Sequence, residues 1–153
     1  MTDRRQTYTF TTCVGLSGFG EVYIADVEEP GGLTRRVAVK VLKESLRDAP
    51  EAVQRLRDEG RMLGVLNHRS ILRVLEQTII RGRVALVTEY IPGIALGRCC
   101  KPATRLPPKI VLEAIAEVAS ALHCAYFTLS PETGKPLQLI HRCLLYTSPS
   151  PRD

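Results

Sequence analysis

"GLSGFGEV", residues 15–22, decides how the rest of the chain is read. Glycine lets a backbone approach phosphate oxygens closely and turn its N–H groups towards them. An unliganded hairpin turn can have the same composition, so the neighbouring residues must discriminate. A dinucleotide-binding loop opens a helix, but "EVYIADV" (Glu21–Val27) alternates and puts Val22 and Ile24 on one face of a strand. No Gly-Lys-Ser/Thr follows, which removes the P-loop. What remains is a glycine-rich β-hairpin that could fold over a nucleotide.

Upstream, Tyr8–Cys13 is β-branched and aromatic and reads as the first strand of that hairpin. Downstream, Pro30, Gly31 and Gly32 punctuate a loop, and "VAVKVL" (Val37–Leu42) is short and apolar enough for a strand buried on both faces. "DAPE" places Asp48 as an N-cap three residues before Glu51, with Pro50 in the first turn of a helix. "ILRVLEQTII" and "VALVTEYI", joined at Arg81-Gly82-Arg83, form a further hairpin ended by Pro92-Gly93. "GRCCKPATRLPP" is a short helical or irregular linker. From Pro108 to Phe127, Val111, Leu112, Ile115, Val118, Ala119, Leu122, Ala125 and Tyr126 make one apolar helical stripe. After a loop, "LQLIH" (Leu137–His141) could begin another strand. Five strands with one helix after the third, then helices, give an α+β order without regular βαβ alternation.

The bulk numbers fit that reading. At 153 residues and 44% hydrophobic content the chain can build the core of one ordinary domain. Its net charge of +5 comes from 21 basic and 16 acidic residues that are interspersed. A mixed solvated surface therefore fits better than a nucleic-acid partner. Five cysteines make no C-x-x-C pair and no zinc spacing, so free thiols in a reducing compartment are expected. "MTDRRQTYTF" has charge but no apolar stretch behind it, and no run approaches 18 apolar residues. Neither a signal peptide nor a membrane segment is expected in these residues.

Lys40 stands inside the apolar run, on the face shared by Ala38 and Leu42. An unpaired buried ammonium costs several kcal/mol, so it needs a partner or an edge strand facing water. At 100° per residue, Val53, Leu56, Leu63 and Leu66 span roughly 140° of the helix, and Glu59 falls in that arc. Glu59 is thus the natural partner, and the pair could hold an ammonium against phosphate oxygens.

"GLSGFGEVYIA", "VAVK", Glu59, "NHRSIL", "LVTEY" and "IHR" come in the order and spacing of the eukaryotic-like (Hanks-type) protein kinases. The approach "SPETGKPLQLIHR" resembles the bacterial serine/threonine kinases in particular. The resemblance implies a kinase small lobe, a five-stranded antiparallel sheet with one helix, followed by the first helices of an incomplete helical lobe. Residues 1–7 would be a tail, 8–91 the small lobe, and 92–142 the hinge exit and start of the large lobe. The implied activity is transfer of the ATP γ-phosphoryl to a serine or threonine of a protein substrate, with magnesium, in a cytoplasmic kinase domain. A membrane anchor further along is left open.

Carried over by resemblance, Gly15, Gly18 and Gly20 would cover the phosphates, with Phe19 at the loop tip. Ser17 stands where the second glycine is usual, which would stiffen the loop and weaken binding modestly. Val22 and Ala38 would sandwich the adenine. Lys40 would hold the α- and β-phosphates and pair with Glu59. Thr88 resembles the gatekeeper, and the Glu89 and Ile91 backbones would be the hinge. His68 would be structural, and His123 and Cys124 would be core or surface filler.

Where the family carries His-Arg-Asp, Cys143 follows His141-Arg142. A thiol does not replace a carboxylate that accepts the substrate proton, and the magnesium-binding motifs do not follow. One reading is a pseudokinase that binds nucleotide or a partner without chemistry; a second is a diverged tail. The third fits the letters best. "CLLYTSPSPRD" (Cys143–Asp153) is what one reading frame gives for a DNA sequence that resembles a transposon-end sequencing adapter. Residues 143–153 are then a non-native tail on a truncated kinase, and the 153-residue chain is expected to be inactive by itself.

Overall fold

The computed structural model describes residues 7–29, 31–99 and 106–139. The His141-Arg142 motif, Cys143 and the adapter-like tail lie outside the described residues. Five strands form one sheet: β1 (Thr7–Leu16), β2 (Gly20–Glu28), β3 (Thr34–Leu42), β4 (Val74–Ile80) and β5 (Arg83–Glu89). Their order is β1-β2-β3-β5-β4, and every neighbouring pair is antiparallel. Helix α1 (Pro50–Val65) follows β3, after a 3-10 turn at Glu44–Leu46. The expected α+β order is therefore the observed one.

Register explains why the central strands read as continuous apolar runs. Cross-strand partners share a face, so Val22, Lys40 and Leu86 form one row, and Ile24, Ala38 and Thr88 the next. That inner face carries a core of Leu42, Leu56, Ala52, Val84 and Leu86, to which α1 contributes Leu56 and Ala52. The outer face carries a second core of Ala25, Val27, Val37, Val39, Val41, Ala85 and Val87. Each fully buried Val or Leu contributes about 1.5–3 kcal/mol, so both faces of β3 are held strongly. Tyr8 and Phe10 from β1 and Leu75 and Ile80 from β4 pack on the outer core. Register shifts near Phe10/Thr12, Cys13/Gly15 and Val74/Glu76 mark bulges in these two edge strands, and bulges bend a strand.

Several boundaries differ from the sequence reading. β1 runs on through Gly15 to Leu16, because Gly15 pairs with Val22; the glycine turn shrinks to the residues between Leu16 and Gly20. Helix α1 starts at Pro50, so Ala49 takes the cap place expected of Asp48, and its carbonyl accepts from the Val53 N–H at 3.1 Å. Proline suits that first position, since its missing N–H would be unpaired there anyway. β4 starts at Val74 rather than Ile71, whose N–H closes a turn onto His68 O at 3.0 Å. No strand forms over Leu137–Leu139, the described part of "LQLIH". Gln138 has a left-handed φ of 49°, which extended pairing does not accommodate.

The chain divides into two compact units, one of residues up to Gly64 with Leu72–Ala95, the other of Val65–Ile71 with the residues from Leu96 onward. The second holds the short turn α2 (Leu96–Cys99) and the long helix α3 (Pro108–Phe127). His68 Nε2 lies 3.0 Å from Ser120 Oγ on α3, and its Nδ1 accepts from the Ser70 N–H at 3.1 Å. Arg69 and Ser70 both donate to the Glu117 carboxylate. His68 is thus a structural link to α3. Cys124 Sγ is 3.8 Å from Asn67 O, and the His123 ring stacks 4.6 Å from Phe127, as filler residues would. The α3 stripe stays largely exposed, at 66% for Leu112 and 59% for Ile115. By length and composition alone α3 is apolar enough to cross a membrane, an ambiguity that counting unbroken apolar runs did not register.

Candidate nucleotide site

The inner face of the sheet gathers the residues singled out in the sequence. Lys40 sits between Val22 and Leu86 in the register, which aims its side chain to the face where α1 packs. There its Nζ donates to both carboxylate oxygens of Glu59, each at 2.7 Å. Lys40 is 27% exposed and Glu59 41%, so the pair is wet enough to avoid the full burial penalty and open enough to accept a ligand. Glu59 reaches Lys40 because its helix neighbours Leu56 and Gly60 are, with Ala52, the residues α1 buries. A Cβ at Gly60 would stand 2.8 Å from Leu86 Cδ1; the missing side chain is what lets the helix approach.

Above this pair, the glycine loop closes on itself. Ser17 N–H donates to Gly20 O at 2.8 Å, and the Gly20 N–H donates to Ser17 Oγ at 2.9 Å. A serine thus pins the short loop where a glycine would leave it free. Gly18 has open space around the position of a Cβ, whereas a Cβ at Gly20 would meet Val41 O at 3.0 Å and Lys40 Cγ at 3.4 Å. Phe19 is held at the tip: its carbonyl accepts from the Lys43 N–H at 3.0 Å, and Arg55 of α1 lies 5.0 Å over its ring.

Val22 and Ala38, on the same face as Lys40 and half-buried, provide an apolar shelf. Thr88 is buried and its hydroxyl donates to Ala38 O at 3.4 Å. Glu89 is turned towards Arg73: its N–H donates to Arg73 O at 3.0 Å, and its carboxylate accepts from the Arg73 N–H at 2.8 Å. Ile91 stands beyond the end of β5 and is 60% exposed. The loop, shelf, ammonium and strand exit all lie in the first unit. Gly60 lies on the α1 face that the spacing of Val53, Leu56, Leu63 and Leu66 marks; sequence reasoning missed Arg55 over Phe19, which depends on a helix face and a loop tip meeting. It also missed Arg83, which bridges Glu21 at 3.4 Å and Glu44 at 3.2 Å.

The arrangement brings together a glycine turn, one oriented ammonium and an apolar shelf, the chemistry that a polyphosphate joined to a flat ring would need. Comparison with known proteins identifies the family. The family described as "Protein tyrosine and serine/threonine kinase" matches residues 8–130. The tyrosine-protein kinase MasK of Myxococcus xanthus is 27% identical over 88% of this chain and 21% of its own length. The serine/threonine-protein kinase PknA of Mycobacterium tuberculosis is 34% identical over 78% of this chain and 28% of its own. The crystal structure of the Mycobacterium tuberculosis PknI kinase domain superposes with a TM-score of 0.59 at 28% identity, covering 78% of this chain and 47% of that one. The chain thus spans 21% to 28% of the length of these two curated relatives.

Proposed function

The chain belongs to the protein tyrosine and serine/threonine kinase family, and from that premise we propose that it is the ATP-holding part of a bacterial protein serine/threonine kinase. The observation that carries this is the Lys40 ammonium fixed at 2.7 Å from both Glu59 oxygens beneath the glycine loop. Gly15, Ser17, Gly18, Phe19 and Gly20 cover the phosphates; Val22 and Ala38 flank the adenine; Glu89 and Ile91 bind its edge through their backbones, beside the gatekeeper Thr88. ATP supplies the phosphoryl group, and Lys40 orients it by pairing with the α- and β-phosphates while Glu59 keeps the ammonium in place.

Magnesium is the family's companion to ATP. Among the described residues no three His, Cys, Asp or Glu side chains stand together as ligands for it. Residues 8–91 are the small lobe and 92–142 the hinge exit and start of the large lobe, working in the cytoplasm where ATP is available. Residues 143–153 are a translated adapter; resequencing past Arg142 that still encodes "CLLYTSPSPRD" sinks that assignment.

The test joins the chain to the genomic sequence that follows Arg142 and assays transfer from γ-labelled ATP to serine, threonine and tyrosine peptides. Lys40-dependent labelling of serine and threonine is expected. Transfer that survives Lys40→Met, or that goes to tyrosine alone, contradicts the proposal. The 153-residue chain by itself is expected to show no transfer above background.

A further inference from the structure

On the outer face of the sheet, away from Lys40, lies a cavity of about 130 Å³ lined by Phe10, Tyr23, Val41, Ile80, Arg81 and Arg83. Its floor is the outer core, with Val41 1% exposed. Its wall is aromatic, the Phe10 and Tyr23 rings meeting edge to face with centroids 5.3 Å apart. One lip is the β4–β5 turn, whose two residues, Arg81 and Gly82, have φ of 50° and 75°.

We propose that this cavity receives one aromatic or branched aliphatic side chain of a partner peptide, with an adjacent carboxylate of that peptide pairing with Arg81. Size sets the first half. A cavity of roughly 150 Å³ holds one benzene ring, whereas sites for whole small molecules run to about 300–1,000 Å³. The pocket therefore seats one side chain, and the rest of the ligand crosses the rim. Charge sets the second half. Arg83 closes one wall with its charge already opposed by Glu21 and Glu44, although its buried Nε makes no hydrogen bond among the described residues. Arg81 is exposed and has no carboxylate partner among the described residues, so the lip presents an unneutralised guanidinium beside a cavity walled by Phe10, Tyr23, Val41 and Ile80.

The backbone adds a separate argument. A two-residue hairpin turn with positive φ at both positions favours Asn-Gly, and a bulkier side chain at the first is strained. Strain of this kind gathers where a side chain is used. Here the strained residue is Arg81, which lines the cavity.

The experiment titrates the ¹⁵N-labelled chain with acetyl-Asp-Phe-amide, following backbone amide shifts. Saturable shifts at Tyr23, Val41 and Ile80 are expected, at millimolar strength. Replacing Phe by Ala in the peptide should weaken binding at least tenfold, and replacing Asp by Asn about three- to fivefold, as for an exposed ion pair. Arg81→Gly and Arg81→Asn both suit the left-handed backbone. Each should raise the melting temperature while erasing the Asp/Asn difference and keeping the Phe/Ala one, a combination that a purely structural arginine would not give. The proposal is overturned by an absence of saturable shifts, by equal affinity for the Asp and Asn peptides in the unsubstituted chain, or by phenylacetate binding as tightly as the peptide.

Discussion

Lys40 and Glu59, 19 residues apart in sequence, meet with the ammonium 2.7 Å from each carboxylate oxygen. The contact joins the central strand β3 to α1 at the inner face of the sheet. If this pair orients the ammonium for phosphate, the two residues must act as a unit on nucleotide affinity. A double-mutant cycle with Lys40→Met and Glu59→Gln is expected to give a coupling energy of about 0.5–1 kcal/mol, modest because both side chains are partly exposed. Strictly additive losses in ATP affinity would show that the contact plays no part in binding.

Gly60 and Gly64 lie one turn apart on α1 and should respond to alanine with opposite signs. At Gly60 a Cβ would stand 2.8 Å from Leu86 Cδ1, and Leu86 is 1% exposed and has little room to give. Overpacking should outweigh the helix gain and destabilise by about 1 kcal/mol. At Gly64 nothing lies within 4 Å, so alanine should stabilise by about 0.5–1 kcal/mol. Denaturant midpoints of the two variants check the pair directly.

Gly20→Ala separates the loop from the fold. Its Cβ would press on Val41 O at 3.0 Å and on Lys40 Cγ at 3.4 Å, shifting the residue that holds the phosphates. The Gly18 position is open. Gly20→Ala is therefore expected to weaken ATP binding several-fold more than Gly18→Ala, read by titration of both variants.

Two glutamates carry opposite pH signatures. Hydrogen bonds from Arg69, then from Ser70, hold the Glu117 carboxyl below its ordinary value. Its folded pKa is depressed, so its contribution is present above the usual glutamate pKa of about 4.3 and is lost as pH falls through the lowered value. Burial holds Glu76 above its ordinary value; its charged form disfavours folding, so stability falls as pH rises through that range. Glu117→Gln should flatten the acid-side loss of α3 protection in hydrogen exchange. Glu76→Gln should raise the melting temperature at pH 7 and change it little well below pH 4.3.

Much of this is legible in the sequence itself. Alternation in Glu21–Val27 and the apolar run Val37–Leu42 located two strands of the sheet, since one side chain per face leaves a period of two. Glu59 fell on the buried arc of α1 by angle alone, and that angle led to its partner. What the letters did not carry was direction and bending. The bulges that carry β1 on to Leu16 come from pairing with β2, and local composition does not encode a pairing offset. The cap moved from Asp48 to Ala49 because proline at the first helical position fixed the start. Arg55 over Phe19 depends on a helix face and a loop tip meeting, two elements whose approach no spacing rule gives.

The most direct measurement uses an ATP derivative acylated on its terminal phosphate, which transfers its acyl group to an amine held beside the phosphates. Mixed with the 153-residue chain, it should label Lys40 ahead of the exposed lysines Lys109 and Lys135, and excess ATP should suppress that labelling selectively. Labelling spread evenly over the surface lysines, or labelling of Lys40 that ATP does not compete away, would contradict the account.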